Sequence, residues 1–386
     1  MSETRPVQGF WKDFDWALFG AALLLCTIGL TEIYSATKNI SGDISFYKQV
    51  IFVCLGIVAM FIIAAVDYHT ISEHVPWLYL ASVAILIYTP LAARKIAGAS
   101  SWIDLGPVSF QPSEFVKMVA VVAVARYLAD LHIEGYMSLR QIARAAVICG
   151  IPMGLILLQP DMGTALTYLP ILAIGVFLRG VKPAAILAMI LIAVLALPLA
   201  WYFLRDQDRL VGGLTWLTER SLLKDHQKER LLTFVFPERD SRGKGFQVFQ
   251  SKIAIGSGGF LGKGLFKGSQ SQLGFLPARH TDFIFSVVGE EMGFLGVMLT
   301  LGLLGFVLFR SLYNAQTARD NLGLFIILGV VGIFFFHIVV NVAMVIGFFP
   351  VIGIPLPFMS YGGSSILTAF VGLGLVISVR RRRYVN

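Results

Sequence analysis

The residues with most chemical content lie in the stretch "RHTDFIFSVVGEE" at 279–291. Arg279, His280 and Asp282 stand at the mouth of an apolar segment, and Glu290 and Glu291 follow about two turns further in. A carboxylate at a water–lipid boundary, near cations and partly desolvated, can accept a hydroxyl proton, so Asp282, Glu290 and Glu291 are the candidate general bases. A helix cap would account for Asp282 alone. A metal site fits less well, because His-x-Asp with two distant glutamates matches no recognised ligand spacing. Glu290 or Glu291 becomes the alternative base if it faces the interior beside a basic or hydroxyl partner.

A second cluster is "QPSEFVK" at 111–117. Pro112 suits the first position of a helix, and Glu114, two residues on, complements the positive helix N-terminus. Lys117 lies three residues further on the same face and deeper, where an ionisable group needs a partner. A Glu114–Lys117 pair of this kind could hold a phosphate or orient a catalytic group. Upstream, Trp102 reads either as an interface anchor or as a ring that stacks on a sugar or flanks a lipid-diphosphate groove. In "IPLPFMSYGGSS" (354–365), Gly362 and Gly363 allow close backbone approach, and Ser364 and Ser365 can donate hydrogen bonds. The Gly-rich run at 256–269 is not a phosphate-binding loop, because Ser257 and Gly264 occupy the places of its first Gly and its Ser/Thr. It reads as turns or a backbone nest for an anion.

The elements that must position these groups cross a membrane. Of 386 residues, 56% are hydrophobic and only 14% charged, and the mean hydropathy is +0.76. Soluble domains carry about 25% charged residues. The expected fold is an all-α polytopic membrane protein, a single integral domain over 1–386, with ten spans. These are placed at 16–36, 47–67, 74–92, 112–130, 143–160, 162–179, 183–204, 283–310, 321–347 and 360–379. Lys and Arg gather on the side of both termini (Arg140, Arg144, Arg310, Arg319, Arg380 to Arg383), which places the termini in the cytoplasm. This anchoring accounts for much of the net charge of +8, so nucleic acid is not needed as a partner. Cys26, Cys54 and Cys149 lie in apolar runs and imply neither a disulfide framework nor zinc. A long polar loop, 205–282, falls on the outer face, with an amphipathic helix expected at 222–236. Every unusual polar motif faces that side, including "QPDMGT" at 159–164. The pattern points to an extracytoplasmic site reached from the lipid. No clear internal repeat is visible, which weakens a transporter reading.

The stretches "QSKIAIGSGG", "GSQSQLGFLPARHTDFIFSVVGEEMGFLG", "QPSEFVK", "QPDMGTAL" and "GIPLPFMSYGGSS" resemble the SEDS family over nearly the whole chain. The wording is nearer its elongation branch than its division or sporulation branches. The resemblance implies a ten-span peptidoglycan glycosyltransferase that polymerises lipid II on the outer face for cell elongation and shape. It also implies a class B penicillin-binding protein as partner, with other elongation-complex membrane proteins. The family's essential aspartate falls on Asp282, its fourth-span pair on Glu114 and Lys117, and its loop Trp on Trp102. Gln111, Arg279, His280, Gly363 and Ser364 complete the expected substrate site. Many relatives carry a basic residue where this chain has Ser101, so a diphosphate contact there would pass to Arg94, Lys95 or Arg279. A divalent cation (Mg or Mn) is compatible with a diphosphate leaving group, but no ligand set is visible. The alternatives are a lipid II flippase and a non-enzymatic scaffold for the penicillin-binding protein.

Overall fold

A computed structural model describes residues 11–38, 44–92, 94–96, 99–104, 106, 109–132, 135–187, 191, 194–195, 202, 206–220, 225–236, 244–276 and 278–383. Eight helical stretches among them are long and apolar enough to cross a membrane. They are α1 (Trp16–Thr37), α2 (Ile44–Ala65), α3 (Tyr68–Ala92), α5 (Leu139–Leu158), the α6–α7 pair (Met162–Leu166 and Tyr168–Gly180), α13 (Gly293–Gln316), α14 (Asn321–Val345) and α15 (Gly363–Arg381). A ninth, α4 (Pro112–Asp130), packs between α3 and α14 although it carries Glu114, Lys117, Arg126 and Asp130. The seventh expected span, 183–204, falls largely outside the described residues.

Local chemistry sets the helix starts. α4 begins at Pro112 as expected. α5 begins four residues before the expected 143, because Ser138 and Gln141 form a reciprocal capping box. The expected span 283–310 is corrected: the chain breaks at Gly293, which takes φ +64°, a conformation open to glycine. Residues Ile284–Glu291 form a separate helix, α12, with every residue buried. Its two ends touch the same end of the bundle. Glu291 meets Ser35, near the C-terminus of α1, and the Asp282 carbonyl meets Asn341, near the C-terminus of α14. α12 therefore lies along that end rather than crossing.

The long loop is built rather than open. It contains α8 (Gln207–Glu219), α9 (Asp225–Val235), α10 (Lys244–Gly258) and α11 (Ser269–Gln272). The expected amphipathic helix is α9, and its Leu232 packs on Leu210 and Leu214 of α8. A small antiparallel sheet, β1 (Arg94–Ile96), β2 (Ala99–Asp104) and β3 (Ser109–Phe110), joins α3 to α4; the all-α reading did not foresee it.

At the opposite end, buried Asp15 ties the bundle together. It accepts from Arg310 Nε (2.9 Å), Asn314 Nδ2 (2.9 Å) and Arg380 Nη1 (2.6 Å). The start of α1 and the end of α15 thus share one end, as an even number of spans requires. Small residues let helices close up without a hydrophobic drive. A Cβ on Gly374 would lie 2.8 Å from the Met60 carbonyl oxygen, so α15 and α2 meet through that glycine.

Candidate functional site

Four elements converge where the loop 346–362 folds back into the bundle. From α4, the Lys117 Nζ approaches Glu114 Oε2 at 2.8 Å, with the side chains 2% and 4% exposed. The contact is an ion pair without the alignment of a hydrogen bond. The other partner of Lys117 is His337 Nε2 on α14, at 3.2 Å. Glu114, Lys117, His337, Ser365 and Thr368 line a cavity about the size of one water.

Gln111, just before α4, joins this pair to the start of α6. Its backbone N–H donates to Ser364 Oγ (2.9 Å) and its side-chain amide to Asp161 Oδ2 (2.7 Å). Asp161 also caps α6 by accepting from the Thr164 N–H. Gly163 packs against the loop, because a Cβ there would lie 2.7 Å from the Ile352 carbonyl oxygen.

Asp282 is half-buried in the turn just before α12. Its carbonyl accepts from Asn341 Nδ2 at 2.9 Å. Its Oδ2 lies 3.5 Å from where a Cβ on Gly353 would stand, and Gly353 has φ +76°. α9 brings Arg230 to this region, where its Nη1 donates to the Ile352 carbonyl at 3.4 Å. Burial lowers the guanidinium pKa, and the carboxylates of Asp161 and Asp282 oppose that shift. The arrangement is a half-buried carboxylate near a cation, with a buried ion pair on α4. It can take a proton from a hydroxyl while stabilising an anionic group nearby.

Other expected site residues have different settings. Arg279 is buried, donates through Nε to the Ala36 carbonyl (2.7 Å), and leaves both Nη groups without a hydrogen-bond partner. His280 sits against the Tyr361 ring, and its carbonyl accepts from the Tyr361 N–H. Burial first, and Arg279 second, hold its pKa below the usual histidine value. Gly363 serves packing, since a Cβ there would lie 2.6 Å from the Phe52 ring. Trp102 lies on β2 opposite Arg94, and Ser101 Oγ donates to the Gln159 carbonyl. The side chains of Arg94 and Lys95 fall outside the described residues.

Glu290 and Glu291 are saturated by donors. Glu290 accepts from Lys263 Nζ (2.7 Å), the Gln270 and Ser271 N–H groups and Ser269 Oγ. Glu291 accepts from Ser35 Oγ (2.6 Å) and the Phe266 N–H (2.7 Å). Among the described residues, no three His, Cys, Asp or Glu side chains gather into a metal cage. The residues that motif reading missed are Asp161, Arg230, His337 and Asn341. The last two were visible as two polar positions four apart in the otherwise apolar run 322–345.

Fold and site together define a polytopic helical membrane protein with a charged cleft at one end. The FtsW/RodA/SpoVE family, described as "Cell cycle protein", matches residues 15–385, and the chain belongs to it. Peptidoglycan glycosyltransferase RodA of Treponema pallidum is 35% identical, with 96% of this chain and 98% of that protein covered. A solved chain from a peptidoglycan synthase complex that coordinates polymerization and crosslinking is 34% identical. It covers 97% of this chain and 100% of its own length, at a TM-score of 0.78. The rod shape determining protein RodA of Thermus thermophilus is 29% identical at a TM-score of 0.70, with 98% and 100% covered.

Proposed function

We propose that this protein is a peptidoglycan glycosyltransferase that polymerises lipid II, an undecaprenyl-diphosphate-linked disaccharide-pentapeptide, at the cleft end of the bundle during cell elongation. The observation that carries this reading is the buried Glu114–Lys117 pair beside a cleft holding Asp282 and Arg230. Asp282 accepts the proton of the acceptor 4-hydroxyl as that oxygen attacks the anomeric carbon of the donor sugar. The bond to the lipid diphosphate breaks, and Lys117 and Arg230 stabilise the departing charge. The leaving group is already activated, so a strong general acid is unnecessary. Among the described residues no three His, Cys, Asp or Glu side chains gather into a metal cage; Mg or Mn would arrive as a counter-ion of the diphosphate.

The cleft faces outward. Arg310, Arg319 and the run Arg380 to Arg383 lie at the opposite end, as positive-inside topology demands. A class B penicillin-binding protein and other elongation-complex membrane proteins are the proposed partners, in keeping with the solved relative from a synthase complex.

The test is polymerisation of lipid II by purified wild type beside Asp282→Asn. Asn keeps the size but removes the basic oxygen, so the rate should fall about 10²–10⁴-fold at unchanged protein level. Asn is also a good helix cap, so a rate within a few-fold of wild type would reduce Asp282 to a structural role.

A further inference from the structure

The buried polar residues of α14 fall outside this mechanism, yet they touch both halves of the site. His337 and Asn341 are four residues apart, on one face of the helix. They are 4% and 0% exposed. His337 Nδ1 lies 3.0 Å from the Pro355 carbonyl oxygen, and Asn341 Nδ2 donates to the Ile354 carbonyl at 2.7 Å. One helix face therefore grips two consecutive peptide carbonyls of the loop 346–362. Each side chain has a second contact. His337 Nε2 meets Lys117 Nζ, and Asn341 Nδ2 also donates to the Asp282 carbonyl.

Donor and acceptor identities fix the roles. A lysine ammonium only donates, so Nε2 of His337 must accept. The ring proton then sits on Nδ1 and donates to Pro355. Asn341 spends both amide hydrogens on the carbonyls of Ile354 and Asp282. Neither residue can release one contact without leaving a buried polar group unpaired.

We infer that His337 and Asn341 are positioning residues that hold the Lys117 ammonium and the Asp282 segment in one register through the Ile354–Pro355 peptide. This rests on the glycosyltransferase reading of the site. The chemistry needs the base and the cation that receives the leaving diphosphate at a fixed separation, and a displacement near 1 Å costs about 10²-fold in rate. A helix that holds both contacts sets that separation.

The test compares His337→Phe, His337→Gln and Asn341→Leu with wild type in the lipid II polymerisation assay. Hydrogen exchange of segments 279–284 and 351–358 is followed in parallel. Phe keeps a ring of similar size but offers Lys117 no acceptor and Pro355 no donor. Gln places an amide oxygen and an NH₂ about as far apart as the two ring nitrogens. His337→Phe and Asn341→Leu should lower kcat about 10–100-fold with KM within about three-fold. His337→Gln should recover most of the rate. Exchange at 351–358 should quicken in both apolar variants, and at 279–284 in Asn341→Leu.

Full activity of a folded His337→Phe, or a folded His337→Gln that loses more than ten-fold, would overturn the inference. If His337→Phe fails to fold, the Gln result alone decides. A wild type that forms no polymer would count against the glycosyltransferase reading only, and the exchange data would then judge the clamp: unchanged protection in both apolar variants overturns it.

Discussion

The Glu114–Lys117 pair gives the most quantitative prediction. At 2.8 Å the gross attraction is about 6 kcal/mol at an effective dielectric near 20. Both side chains are almost fully enclosed, so the discount for surface pairs does not apply. Much of the attraction offsets the desolvation of the two charges, and the pair adds little over an apolar pair of the same shape. Removing one partner is different, because it strands the other charge inside. Glu114→Gln leaves the ammonium facing only His337 Nε2, and Lys117→Met leaves a buried carboxylate. Each should cost about 3–5 kcal/mol. At roughly 2 °C per kcal/mol for a chain of this size, the midpoint of thermal unfolding in detergent should fall about 6–10 °C in either single variant. The double variant Glu114→Gln/Lys117→Met should recover to within a few degrees of wild type, since no charge is stranded. Activity should stay low in all three if Lys117 serves the diphosphate. The refuting result is additivity: a double variant whose midpoint falls by the sum of the singles shows that the two charges are not coupled.

Three further outcomes are expected. Glu290 titrates below its usual range, because Lys263 and the Gln270 and Ser271 N–H groups outweigh the effect of burial. Its stabilising contribution is thus present above the ordinary value of 4.5 and is lost as the pH falls through the lower folded value. Glu290→Gln should lower the unfolding midpoint at pH 7, and the gap to wild type should close in melts below pH 4.5; a gap that persists at acid pH contradicts this. Glu32 on α1 is fully buried, and neither carboxyl oxygen has a hydrogen-bond partner. Glu32→Leu should therefore stabilise by about 1–3 kcal/mol, read as a higher midpoint, and a lower one would show that the carboxyl is needed. Single cysteines at the exposed positions Glu219 and Gln316, in a cysteine-free background, should label from outside and inside the cell respectively; reversed labelling refutes the outward cleft.

Much of this was legible in the sequence, for identifiable reasons. α4 runs from Pro112 to Asp130 as expected, because a proline at the first turn marks a helix start without ambiguity. The pairing of Glu114 with Lys117 followed from a spacing of three and the cost of a lone charge. The span at 283–310 was misplaced because hydropathy is blind to a backbone turn, and the break at Gly293 depends on φ, not polarity. Arg230 was hidden in a helix that reads as amphipathic, and only the fold brings α9 over Asp161 and Asp282. His337 and Asn341 stand out as polar positions in the sequence, but the 25-residue helix reads as a span whatever its few polar members do, and only the fold shows what they touch.

The stretch 279–291 shows how charge divides between architecture and chemistry. The three carboxylates Asp282, Glu290 and Glu291 lie within ten positions of one another, and sequence alone leaves any of them as the base. Their partners separate them. Glu290 and Glu291 accept the backbone N–H groups of Phe266, Gln270 and Ser271, and the glycine run before these closes on the same helix end: Lys263 N–H donates to the Glu290 carbonyl and Gly264 N–H to that of Glu291. The Glu290 carboxylate held in this way is a poor proton acceptor, because protonation would break the contacts that order the loop. Asp282 has its backbone carbonyl held by Asn341, and its carboxylate lies beside Gly353, a position without a side chain. The donors that hold Glu290 are the reason the proposed mechanism gives the proton to Asp282 rather than to Glu290.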